Sequence, residues 1–251
     1  MHVKDLPDDA YRAAESTVAF RLFADQDTPT LTVPEQIAAK LGDRILSGLM
    51  PAGSRIGEVE VSEEFKVSRG PVRDALRILE REGLVTLLPR RGAIVTELTV
   101  SELDELMEIR AGLFEVVIRK IGHQPSAEWL QILASGTERL ERLAADPDSG
   151  EEYAETTYRL IILCARLAGN QKLHRLLTGL SLQTLRYSKL GLATVERRQR
   201  SASLWRKALI AQRKGDIESL VALARTRILE SSQESTRQMA ARAASSSRTN
   251  E

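Results

Sequence analysis

From Thr99 onward the sequence carries a helical period and no strand pattern. Apolar residues recur at three- and four-residue steps through about 99–121, 126–144, 151–168, 170–190, 195–214 and 216–238. The breaks fall at Gln124-Pro125, Asp146-Pro147, Gly169-Asn170, Gly191 and Gly215, residue types that stop helices. Helices with one apolar stripe must bury it on one another, so this half reads as an all-α bundle. Composition agrees: aromatics are only 4%, while Leu, Ala, Arg and Glu abound. That bias favours helices over β-sandwiches.

The part before Leu98 has a different texture. Residues 1–30 are polar and acidic without sustained periodicity and read as a mobile arm, with a short helix near Tyr11–Phe23. Ile37, Leu41, Ile45 and Leu49 then mark one helix face, with Pro34 in the first turn and Gly48 and Pro51-Ala52-Gly53 ending it. A short helix covers Glu58–Phe65. Ser68 reads as the N-cap of another, with Pro71 in its first turn and Gly83 as its stop. Val85–Leu88 and Ala93–Thr96 are β-prone runs joined by Pro89-Arg90-Arg91-Gly92. Two short helices, a tight turn and a hairpin make a winged helix-turn-helix. The fold expected is therefore mainly α: an arm over 1–30, a winged helix-turn-helix with a small β-hairpin wing over 31–98, an all-helical bundle over 99–240 and a disordered tail over 241–251.

Helical spacing sorts the chemistry of the second short helix. At about 100° per residue, Val72, Ala75, Leu76 and Leu79 share one face, and Arg69, Gly70, Arg73 and Arg77 lie on an adjacent arc. The whole chain has a formal charge of only +1, which excludes a uniformly basic nucleic-acid binder. Between Lys66 and Arg91, however, seven Lys or Arg face three Asp or Glu. Arginine reads guanine bidentately through O6 and N7, worth about 1–3 kcal/mol of discrimination per good pair. Arg69 and Arg73, nearest the helix N-terminus, are the expected base readers, with Arg77 beside them. Ser68 and the backbone around it suit a phosphate, and Gly92 lets Arg90 and Arg91 on the wing approach the DNA backbone or minor groove. An arginine-rich helix alone is often just a solvated face. The ordered set of helix, turn, helix and basic hairpin argues against that reading here.

This order of motifs resembles the GntR-type winged helix over residues 34–97. The resemblance rests on Ile45-Leu46-Ser47-Gly48, Pro51-Ala52-Gly53-Ser54-Arg55-Ile56, VSRGPVRDALRILEREGLV and PRRGAIV. In the FadR branch, the DNA contacts that the resemblance implies fall on Ser68, Arg69, Gly70, Arg73 and Gly92. It also implies two losses. Val59 stands where the fatty-acid regulator uses an arginine, and Gly70 replaces a common threonine.

The helical half resembles the FCD domain of that branch, through Glu108-Ile109-Arg110, Ala168-Gly169-Asn170 and Ala208…Gly215-Asp216. Many such domains hold a divalent metal with one Asp and three His to help bind a carboxylate effector. By that resemblance the four positions carry Glu155, Arg159, Trp205 and Arg227. Arginine stays protonated and cannot ligate a metal, so no family-type metal is expected. Two readings stay open. Arg159 and Arg227, with Arg110, share a cavity and hold a carboxylate directly, with Trp205 as an apolar wall. Alternatively, Glu155 pairs with Arg159 one turn away and the positions have reverted to packing.

The single cysteine, Cys164, excludes an intrachain disulfide and a cysteine zinc site, and the three histidines lack metal spacing. No phosphate loop, nucleophile elbow or HExxH motif occurs, so neither an enzyme nor a cofactor is expected. The start lacks the apolar core of a signal peptide, and no run reaches the roughly 18 apolar residues of a membrane span, so a cytoplasmic protein is expected. The resulting expectation is a homodimeric transcription regulator, a repressor, that binds double-stranded operator DNA and answers to a small organic acid. The alternative is a ligand-independent DNA-binding protein with a degenerate sensor domain.

Overall fold

The computed structural model describes Tyr11, Ala14, Val18 and residues 31–89 and 91–249, with side chains through 241. The chain divides after Leu98 into two compact units, the second of which also takes in Tyr11 and Val18.

In the first unit, helix α1 (Val33–Leu46) starts where the Thr32 backbone N–H donates to the Glu35 carboxylate at 2.8 Å. Ile37, Leu41 and Ile45 are buried along one face. Leu49, expected on that face, is instead 78% exposed, because the helix stops at Leu46 and Gly48 turns the chain at φ +81. Helix α2 (Glu58–Phe65) ends on Lys66 at φ 54, the one non-glycine residue with positive φ among the described residues. That conformation strains a side chain bearing a Cβ. Lys66→Gly is expected to raise the unit's stability by about 0.5–1 kcal/mol, read by denaturant unfolding. An unchanged or lower midpoint would show that the lysine makes up for its backbone.

Helix α3 (Arg69–Arg81) follows after three residues and buries Val72, Ala75, Leu76 and Leu79 completely. Strands β2 (Val85–Leu88) and β3 (Gly92–Val95) form the expected hairpin. A third strand, β1 (Arg55–Ile56), pairs antiparallel with β3, so that the sheet order is β1-β3-β2. Two residues are too few for a periodic signal, so this strand was not visible in the sequence. The Glu80 carboxylate accepts from the Leu87 N–H at 3.1 Å and ties α3 to the wing.

The second unit is helical throughout its described residues: α4 (Val100–His123), α5 (Ala127–Ala145), α6 (Gly150–Leu167), α7 (Gln171–Gln183), α8 (Leu185–Gly191), α9 (Val195–Lys214) and α10 (Ile217–Thr249). Thr99 caps α4, its hydroxyl accepting from the Glu102 N–H at 3.2 Å. The expected single helix over 170–190 is broken at Thr184 by tertiary contacts. The Thr184 hydroxyl donates back to the Leu180 carbonyl at 2.7 Å and accepts from Arg110 Nη1 at 3.2 Å. Helix α10 runs past 238 to Thr249, so the expected tail begins as helix; Asn250 and Glu251 lie outside the described residues.

Arg198 is fully buried. It donates to the carbonyls of Asp146, Pro147 and Ala193, pinning the α5–α6 connection to the one before α9. Most of the expected arm over 1–30 lies outside the described residues. Tyr11 is nonetheless buried, its hydroxyl donating to the Thr156 carbonyl at 3.4 Å beneath the Arg139 guanidinium.

Candidate nucleic-acid interface and ligand cavity

The outer arc of α3 carries the arginines that the sequence singled out. Ser68, Arg69, Gly70, Arg73 and Arg77 are all exposed, opposite a face with no exposure at all. Ser68 is extended and its side chain caps nothing in the helix that it starts, so the first N–H groups of α3 stay open to solvent. Glu58, on α2, accepts from Arg73 Nε at 2.8 Å. That contact fixes the guanidinium while leaving its two Nη groups without a partner among the described residues. Arg77 is paired with Asp74 at 3.1 Å. An open groove between α2, α3 and the wing is lined by Arg55, Arg69, Arg73, Arg91 and Gly92, and on the α2 side by Glu58, Glu60 and Glu64. Arg90 lies outside the described residues. Val59 is exposed at the start of α2, a methyl-bearing surface where the resemblance implies an arginine.

The second site is a cavity inside the helical unit. It encloses about 20 Å³, room for about one water, and is lined among others by Arg110 from α4, Thr157 from α6, Ser181 from α7 and Arg227 and Ser231 from α10. Arg110 is 4% exposed and Arg227 6%. Arg110 Nη1 is held by the hydroxyls of Thr184 and Ser188, both at 3.2 Å, and its Nε has no partner. Arg227 stacks over Trp205 at 3.8 Å and beside Phe114 at 5.7 Å, and its Nη2 has no partner. Among the described residues, no Asp or Glu lines the cavity. Burial pushes both guanidinium pKa values down to about 10. The hydroxyls of Thr157, Ser181 and Ser231, in the same walls, are also unpartnered.

The other two expected effector residues are placed elsewhere. Glu155 and Arg159 pair at 3.6 Å, Glu155 also faces Lys189 at 3.4 Å, and neither lines the cavity. The expectation that Arg159 and Arg227 share a cavity is therefore corrected. One-turn spacing lets Glu155 satisfy Arg159 locally, and the partner of Arg227 in the cavity is Arg110. Trp205 supports Arg227 rather than facing the Arg110 cavity, and lines a smaller apolar space on the other side of it. The hydroxyl lining was not found from sequence, because Thr157, Ser181 and Ser231 sit in separate helices without a shared motif. Among the described residues, no cluster of three or more His, Cys, Asp or Glu is placed to hold a metal.

A three-stranded winged helix-turn-helix with an arginine arc, joined in one chain to a helical unit with a cationic cavity, defines a bacterial regulator of the winged-helix class. Residues 34–95 match the model described as bacterial regulatory proteins, gntR family, and residues 105–230 match the FCD domain. The chain belongs to the GntR family of regulators that carry an FCD domain. It is 33% identical over 142 residues to an uncharacterised helix-turn-helix regulator, YdhC, of Bacillus subtilis, covering 57% of this chain and 63% of the relative. It is 38% identical over 87 residues to the gluconate operon transcriptional repressor of Bacillus licheniformis, 35% of each chain. The matched stretch thus spans less than two thirds of either relative. The solved structure of E. coli McbR/YncC superposes with a TM-score of 0.67 at 17% identity, covering 84% of this chain and all of that one, which shows the shared fold. The family is one of regulators and not of enzymes. No described helix is long and apolar enough to cross a membrane.

Proposed function

We propose that the chain is a sequence-specific DNA-binding transcription regulator whose operator binding responds to a small organic acid held between Arg110 and Arg227. The observation that carries the DNA half is the uncapped, exposed N-terminus of α3 bearing Arg69 and Arg73. An α-helix fits the major groove, its N-terminal dipole favours a phosphate, and the Arg73 Nη groups suit a guanine edge. A two-fold dimer would place one such helix on each half of a short palindrome. The repression named for one relative is the mode we assign. Coupling requires the acid to bind the two states of the protein unequally.

Gel shift and footprinting on DNA upstream of the chain's own and adjacent genes provide the test. Arg73→Ala is expected to lose about 1–3 kcal/mol of discrimination between operator and unrelated DNA, whereas Arg91→Ala weakens binding to all sequences alike and flattens its salt dependence. Unchanged operator preference in Arg73→Ala would remove the base-reading assignment. No preference for any of these DNAs would remove the function.

A further inference from the structure

We propose that Glu58 is a positioning residue for base reading: by holding Arg73 through Nε, it balances the charge that would draw this arginine to any phosphate and leaves it a donor pair fitted to a guanine edge. The inference rests on the DNA-binding reading above and deepens it, by naming what makes Arg73 selective.

The pair joins two helices. Glu58 is the first residue of α2, and Arg73 stands one turn into α3; the Arg73 Nε donates to the Glu58 carboxylate at 2.8 Å. The Glu58 side chain is 18% exposed and that of Arg73 56%, so the acid is the shielded partner and the arginine the outward one. The other arginine pair on α3 is of a different kind. Arg77 meets Asp74 on its own helix, and both side chains are more than half exposed. Such a pair forms and breaks freely and is worth little. Glu58 is instead anchored on a second helix packed against α3, in a first turn whose dipole favours an acid. Three acids line the α2 side of the groove, and Glu58 is the one bonded to α3. Glu64 pairs with Arg44, and the Glu60 carboxylate lies back against Gly57.

Charge and geometry then favour a base over a phosphate. A lone guanidinium gains from any phosphate, whatever the sequence. The Arg73–Glu58 pair has no net charge, so a phosphate gains little from it, and Glu58 itself repels one. A guanine edge carries no net charge and offers two acceptors, O6 and N7, in one plane. With Nε taken, the two Nη groups present parallel N–H bonds that match those acceptors. Fixing the guanidinium before DNA arrives also lowers the ordering lost on binding. The carboxylate thus weakens attraction to DNA in general and adds selectivity at one base.

The test uses the full chain and the operator found by footprinting, with each guanine replaced in turn by 7-deazaguanine, which lacks the N7 acceptor and keeps the base pair. In the parent, one such replacement per half-site is expected to weaken binding about tenfold, and Arg73→Ala identifies it by losing that penalty. In Glu58→Gln, an isosteric change whose fold is checked by melting, the penalty should fall to about threefold or less. The same variant should bind unrelated DNA of equal length about threefold or more tightly. Its slope of log affinity against log salt should steepen by about 0.9 per bound protomer, the value for one more phosphate neutralised. A penalty or a salt slope unchanged in Glu58→Gln would overturn the proposal and leave the DNA-binding reading standing. So would a variant that weakens binding to every DNA alike, the mark of a merely structural contact, or a parent without an Arg73-dependent guanine. No preference of the parent for any of these DNAs would overturn both.

Discussion

Replacing Arg227 by methionine is expected to make the unliganded protein more stable, by about 1–3 kcal/mol, and to abolish its stabilisation by acids. Most substitutions of a buried residue destabilise, so the sign is the informative part. Arg227 is 6% exposed, has no carboxylate partner among the described residues, and leaves Nη2 unpaired. Burial pushes its pKa from 12.5 down to about 10, which corresponds to a penalty on the charged form of about 3 kcal/mol. Stacking on Trp205 and Phe114 returns part of that. Methionine keeps the length and the sulfur–aromatic contact without the charge. Because the folded-state pKa is lowered, the penalty is present in full below about 10 and is relieved as pH rises through that value. The stability difference between the two proteins should therefore be constant near neutral pH and narrow in strong alkali. Thermal melting without ligand measures it, at about 2–4 °C per kcal/mol for a unit of this size. A lower melting point for the variant would mean that the guanidinium is a structural strut, and the cavity would lose its claim to be a ligand site.

The parts of this molecule that were legible in the sequence are those set by local rules. The fully buried face of α3, the wing hairpin and most helix boundaries in the second unit follow from spacing and from stop residues, and the structure has them where expected. What was hidden depends on partners far away in the chain. The break at Thr184 has no Gly or Pro to announce it; it comes from a hydroxyl that must serve both Leu180 and Arg110. Of the two readings left open, the cavity shared by Arg159 and Arg227 gives way to the local pair, because an acid one helical turn away takes up Arg159 and no described acid takes up Arg227. Local sequence could suggest the Glu155–Arg159 pair but could not decide it, since that depends on which way α6 faces. Arg110 was expected in a cavity; helical spacing alone cannot tell that from a surface charge, and packing buries it.

Gly92→Ala is expected to lower the stability of the winged unit by about 2–4 kcal/mol while leaving the helical unit untouched. Gly92 has φ +82, a region in which an L side chain costs about 1–2 kcal/mol. The larger cost is steric. A Cβ there would lie 2.1 Å from the Ile56 carbonyl oxygen and 3.4 Å from the Gly57 Cα. Both are backbone atoms, so no side chain can swing away to make room. Ile56 is paired with Ala93 on β3, so the only relief is to part β1 from β3. Parting them exposes Ile56, which is 1% accessible, and frees ladder groups that have no other partner in the sheet. The same movement shifts Arg91 on the wing relative to α3, so operator affinity should fall even at temperatures where the unit stays folded. Gly70→Ala is the control. No heavy atom would lie within 4 Å of a Cβ at Gly70, which sits in the first turn of α3 with an ordinary φ. That variant should match or slightly exceed the parent in stability, by up to about 1 kcal/mol. Calorimetry that resolves the two units checks both, through a lowered first transition in Gly92→Ala alone. Equal melting of the two variants would mean that β1 does not hold against β3 in solution, and the groove lined by Arg55 and Arg91 would then have no fixed wall.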